Sequence, residues 1–106
     1  MYTGLCQGAA TRRNRYLRAA HRVRDIIRRY PDGLPVDAAR GLAQWELQID
    51  GVFYVSDETC VAIVTEALQK RLAFCVAQAR LHHREWKKWT ARNREWRNEM
   101  AALDNV

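Results

Sequence analysis

Arginine is the residue type in this sequence with the clearest capacity for binding chemistry. Four arginines of a predicted first helix fall within about 60° of one another on the helical wheel: Arg15, Arg18, Arg22 and Arg29. They would extend over roughly 20 Å, enough to follow several phosphates of a nucleic acid. The guanidinium is a planar fork that binds phosphate or carboxylate groups. This face therefore predicts contact with a polyanion, and a solvated face locally paired with Asp25 is the alternative.

A second basic segment, residues 80–97, mixes cations with tryptophans. Aromatic side chains between cations can stack on bases while the cations hold phosphates. The cations we select as candidates for binding a nucleic acid or an acidic partner are Arg84, Lys87, Lys88 and Arg94. One heptad-spaced stripe also runs through the segment, and we select it as a candidate interface: Trp86, Trp89, Asn93, Trp96 and Met100. Because large apolar side chains at such spacing are usually buried, core or dimer interface is favoured over a partner-binding surface.

Catalytic and metal chemistry find little support in the sequence. Ser56 is the sole serine and is placed to cap a helix. His82 and His83 are adjacent on a helix and point about 100° apart, so they cannot chelate one metal together. Cys75 and His82 would lie about 10 Å apart along the axis, too far to share zinc. We therefore expect a protein that is not an enzyme, with no catalytic residue, metal, cofactor or small-molecule substrate.

The N-terminal half predicts two helices and a hairpin. Residues 9–30 carry an apolar stripe at helical spacing and form the Arg-rich first helix, which Pro31 and Pro35 end. A short second helix is expected over residues 36–45. Asp50-Gly51 separates two short runs of β-prone residues, so a small β-hairpin is predicted at 46–55, with a plain loop as the alternative.

The C-terminal half predicts one long helix. Ser56 is the predicted N-cap, and Asp57 and Glu58 suit the positive end of the helix dipole. From there to Val106 the sequence contains neither Gly nor Pro, and apolar positions alternate spacings of four and three. This heptad rhythm is typical of a helix packed lengthwise on another helix, so we expect it to lie antiparallel on the first.

These elements together predict an all-α fold with a single helical domain over residues 1–106. Residues 1–8 are expected to be a flexible N-terminus. Because the first helix can cover only part of the long one, residues 80–106 would bend, project or dimerise, and a coiled-coil homodimer is favoured. In the antiparallel arrangement Arg12 would lie near residues 78–85, which would bring two basic blocks, 12–30 and 80–99, to one end of the molecule.

Composition narrows the class of partner. Eighteen basic residues against twelve acidic ones give a net charge of +6, and the two basic blocks carry +7 and +4. Such a balance suits nucleic acid or an acidic protein surface. An Ala- and Arg-rich composition that merely reflects a GC-rich genome is the alternative.

The hypothesis from sequence is a nucleic-acid-associated regulatory or accessory protein. The alternative is an adaptor or inhibitor that docks on an acidic protein, and the small size is typical of a phage or mobile element. No apolar run approaches the ~20 residues of a spanning helix, so no membrane association is expected. A signal-peptide pattern is missing and the three cysteines are an odd count, which favours reduced thiols and a cytoplasmic location.

Overall fold

The computed structural model describes residues 2–104, and every regular element in that range is helical. The three α-helices are α1 (Thr3–Arg29), α2 (Val36–Gly41) and α3 (Asp57–Asp104). A π-helical segment, Leu42–Glu46, continues α2, and a single 3-10 turn, Val52–Tyr54, precedes α3. The predicted all-α class, with a long third helix packed antiparallel on the first, is confirmed.

The chain forms two compact units, and each contains a segment of α1 and a segment of α3. The basic unit comprises residues 2–18 and 75–104, and the core unit comprises residues 19–74. In the basic unit Cys6 lies beside Thr90 and Arg12 lies beside Glu85, so α1 and α3 run antiparallel there. The position predicted for Arg12, near residues 78–85, is confirmed.

Helix α1 begins at Thr3 rather than at the predicted Ala9, so residues 3–8, predicted as flexible, are helical. Ala9 is fully buried, and the ring of Tyr2 stacks on Trp89 with centroids 5.5 Å apart. Burial against α3 thus outweighs the low helix propensity of the two glycines in this stretch. The predictions for residues 1–8 and 80–106 also include residues 1, 105 and 106, which lie outside the described residues.

The predicted β-hairpin at 46–55 is wrong. The amides of Leu47 and Ile49 donate to the carbonyl oxygens of Leu42 and Ala43, at 2.8 and 2.9 Å, so they are bonded back to the preceding helix. Gly51 does turn the chain, with a φ of 80°, but the turn leads into the 3-10 segment. Leu47, Ile49 and Val55 pack on the core instead, together with Val52, which is only 2% exposed, whereas Tyr54 is 93% exposed.

The core unit contains the chain's main hydrophobic cluster. Its buried members come from α1, α2, the connecting segment and α3: Val23, Ile26, Ala39, Ala43, Val52, Cys60, Val64 and Leu68. Ser56 caps α3 as predicted, because its Oγ accepts a hydrogen bond from the amide of Thr59 at 3.3 Å. Arg40 joins α2 to the start of α3 through a 2.7 Å ion pair with Asp57, and this hydrogen bond raises the pKa of the guanidinium.

The basic unit is held together by small and aromatic side chains. Ala9, Cys75 and Ala79 are buried in this unit. Tyr16 stacks on His82 with centroids 5.6 Å apart, in addition to the stack of Tyr2 on Trp89. The heptad seam of α3 therefore faces α1 of the same chain as far as Trp96, which lines a groove with Tyr2.

Candidate anion-binding surface

The positive charge of the chain is concentrated in the basic unit. Residues 1–18 and 75–106 contain eleven Arg and Lys against four acids, a net of +7, whereas residues 19–74 contain seven against eight, a net of −1. Four of the seven cations of the core unit also bind an acidic side chain or a backbone carbonyl: Arg22 pairs with Glu46, Arg40 with Asp57 and Lys70 with Glu66, and Arg71 donates to the carbonyl oxygen of Glu46 at 3.0 Å. The basic unit is therefore where a polyanion would be attracted.

Over residues 80–99 of the basic unit, the charges of α3 are sorted by side. Five cations lie within about 140° of one another on the helical wheel: Arg80, Arg84, Lys87, Arg94 and Arg97. The segment's remaining charges cluster within about 80° on a different side: Glu85, Lys88, Arg92, Glu95 and Glu99. One side of this segment thus carries +5 and the other −1.

Two grooves between α1 and α3 lie on the cationic side. The first groove has a volume of about 390 Å³ and is lined by Arg13, Leu17, Ala79, Arg80, His83 and Arg84. The second, of about 340 Å³, is lined by Thr3, Cys6, Gln7, Thr90, Asn93, Arg94 and Arg97. The α3 residues that line the two grooves recur along the helix at spacings of three and four residues. Both grooves therefore lie on the same side of the helix pair. Neither groove has a described acidic residue in its lining.

We name this side the groove face and define its cations as Arg13, Arg80, Arg84, Lys87, Arg94 and Arg97. Except for the half-buried Arg13, these side chains are exposed, and none of the six forms an ion pair with any carboxylate whose side chain the structure describes. Arg80 and Arg84 are four residues apart on one helix, a like-charge pair that is mildly destabilising without an anion. At 1.5 Å per residue, the α3 cations extend over about 25 Å.

Arg13 is held in place by its neighbours. Its guanidinium carbon lies 5.0 Å from the ring centroid of Trp86, and its Nη1 is 3.2 Å from Nδ1 of His83. The His83 ring in turn stacks on Trp86, with centroids 5.6 Å apart. This cluster fixes one wall of the first groove before any ligand arrives, which lowers the entropic cost of binding.

The opposite side of the helix pair carries the glutamates. A third groove there, of about 200 Å³, is lined by Tyr2, Arg92, Glu95, Trp96 and Glu99. Nearby, Glu85 Oε2 lies 3.3 Å from Arg12 Nη2 and 3.4 Å from His82 Nδ1. Partial burial raises the pKa of Glu85, but the hydrogen bonds and charges of His82 and Arg12 more than offset it, so the pKa lies below its ordinary value.

We expect the Glu85 cluster to make stability depend on pH. Because the folded-state pKa is lowered, the contribution of Glu85 is present above its unfolded pKa of about 4.3 and is lost as the pH falls through the folded value. Glu85→Gln should therefore destabilise the protein at about pH 6, and the difference from the unmodified chain should shrink towards about pH 3. Urea unfolding across this range measures it. Glu95→Gln is the control, expected within about 0.5 kcal/mol at neutral pH; a pH-independent loss for Glu85→Gln would contradict the assignment.

The predicted cationic residues do not all come together. Arg84, Lys87 and Arg94 lie on the groove face, whereas Lys88 lies on the glutamate side with its Nζ 5.0 Å from the ring centroid of Trp89. Arg15 and Arg18 belong to the basic unit and are exposed on the side of α1 turned away from α3. Arg22 and Arg29 belong to the core unit. The predicted four-arginine face is therefore divided between the two units.

The predicted tryptophan stripe contacts α1 of its own chain. Trp86, Trp89 and Trp96 are half-buried, and Asn93 is 8% exposed in the lining of the second groove. Met100 lies beyond the seam and is 40% exposed. A homodimer through this stripe stays a prediction.

Sequence reasoning left Arg13, Arg80 and Arg97 out of the selected cations and gave no role to the apolar Leu17. A signal for two of them was present, because sorting the charges of residues 80–99 by helical angle separates five cations from three glutamates. Arg13 and Leu17 had no such signal, since only the register of α1 on α3 places them beside His83.

No protein-family model, curated protein or solved structure matches this chain. Over residues 2–104, no helix combines the length and apolarity needed to cross a membrane. Within the same range, no cluster of three or more His, Cys, Asp or Glu could hold a metal ion, and the three cysteines are free thiols.

Proposed function

We propose that this chain is a nucleic-acid-binding accessory or regulatory protein that holds a phosphate backbone along the groove face. The observation that carries the proposal is the separation of charge within the basic unit. Six cations share one side, and none of them takes part in an ion pair among the side chains that the structure describes. If the basic residues served only to solvate the helices, we would expect both signs to be mixed around them, as they are on the glutamate side.

The identity of the cations supports phosphate as the ligand. Five of the six are arginines, whose fork matches two phosphate oxygens at once. Their extent of about 25 Å along α3 suits a linear polyanion better than a single small anion. An acidic protein surface would also complement the charge. Binding measurements with nucleic acids distinguish these two classes of partner.

The proposal predicts binding that is strongly sensitive to salt. Six phosphate contacts with a single strand give a slope of about −4 in log K against log salt, so affinity should fall about 300-fold between roughly 50 and 200 mM salt. Fluorescence anisotropy with a labelled single strand and a labelled duplex of random sequence measures this. Failure of both nucleic acids to bind at 50 mM salt would overturn the proposal and leave an acidic protein surface as the partner class.

A further inference from the structure

The first groove differs from a simple phosphate-binding site because most of its exposed lining consists of carbon atoms. Leu17 is 40% exposed and Ala79 lies at the floor, while the arginines present their methylene stems to the groove. A site that took only phosphate would direct N–H groups into the cleft. This groove instead offers an apolar surface with cations at its edge, which suits a ligand with a flat apolar body and a negative charge beside it.

The size and order of the groove suit one nucleobase together with its sugar. Its volume of about 390 Å³ lies at the lower end of small-ligand sites. The wall formed by Arg13 and His83 is already ordered on Trp86, so a base can pack beside it without first ordering the side chains. Arg80 and Arg84 are exposed at the edge, where no described carboxylate neutralises them.

Resting on the proposed function, we propose that the first groove is a nucleobase subsite that selects single strands. One unstacked base lies against Leu17 and Ala79, and the phosphates on either side of it pair with Arg80 and Arg84. A base inside a duplex cannot reach this wall while it stays paired and stacked. The subsite would therefore make the protein prefer a single strand to a duplex of equal phosphate count, independently of the remaining groove-face contacts.

The test compares a thymidine strand of roughly 12 nucleotides, a length within the site sizes of single-strand binders, with an abasic sugar–phosphate strand of the same length. Both carry the same phosphates, so the backbone contribution is held constant. We expect the thymidine strand to bind about tenfold more tightly, the gain that burial of roughly 60 Å² of apolar surface provides. Leu17→Ser should remove this preference while leaving abasic binding unchanged, and Leu81→Ser is the matched control, because Leu81 is 42% exposed on the glutamate side of α3.

The outcomes separate the subsite from the proposed function. Equal binding of the two strands, or an unchanged preference in Leu17→Ser, would overturn the subsite and leave backbone binding intact. Binding of duplex in preference to both strands would also overturn the subsite alone. If neither strand nor duplex binds at about 50 mM salt, backbone binding and the subsite fail together.

Discussion

Reversing two groove-face charges, with Lys87→Glu and Arg94→Glu in one variant, should lower the affinity for a single strand by about 600-fold at 0.1 M salt. Both side chains are exposed and neither pairs with a described carboxylate, so they are available to phosphates. The double reversal changes the face by four units of charge. At about 0.7 released counterion per unit, that amounts to nearly three decades in the binding constant at this salt concentration. The slope of log K against log salt should flatten accordingly.

A matched control is available on the same helix. Lys88→Glu with Arg92→Glu makes the same change in net charge, but on the glutamate side. We expect its affinity to fall by no more than about tenfold, because its charges act on the strand only at long range. The control also removes two cation–π contacts, at 5.0 and 5.1 Å from the Trp89 centroid, so circular dichroism must show that both variants keep their helices. Equal losses in the two variants would mean that net charge alone drives binding.

The contrast between these variants depends on how the charges are arranged around the helix. The order of the residues along the chain does not show this arrangement directly. Read along the chain, residues 80–99 are simply a basic block with three glutamates. Read around the helix, the same residues divide into an unpaired cationic side and a side where Glu85 is paired with Arg12. Which of these sides forms grooves with α1 depends on the register of the two helices. That register is set by long-range contacts such as the stack of Tyr2 on Trp89.

Local signals predicted the elements whose determinants are local. The two prolines ended α1, Ser56 capped α3, and the heptad rhythm identified the seam between α1 and α3. Local sequence signals gave the wrong element where burial in the tertiary structure determined the backbone conformation. Asp50-Gly51 is a strong hairpin signal, yet Val52 is buried in the core and begins a 3-10 turn in place of a strand.

The groove-face cations contribute nothing to the hydrophobic cluster, so the core unit must supply much of the stability. Leu68 is its largest buried side chain, 2% exposed among residues from α1, α2 and α3. Truncation of Leu68 should therefore be among the most damaging single changes in the described chain.

Leu68→Ala should lower the free energy of unfolding by about 3 to 4 kcal/mol. The loss combines the transfer of the removed methyl groups with the cavity that remains, because neighbours such as Val64 and Val23 cannot fully close it. For a chain of this size the melting temperature should fall by roughly 15 to 25 °C. Urea unfolding followed by circular dichroism measures the change, and Leu103→Ala is the matched control, because Leu103 is 66% exposed and should lose less than about 0.5 kcal/mol. A loss below about 1 kcal/mol for Leu68→Ala would show that the cluster around Leu68 does not set the stability, and the tryptophan seam of the basic unit would then have to carry it.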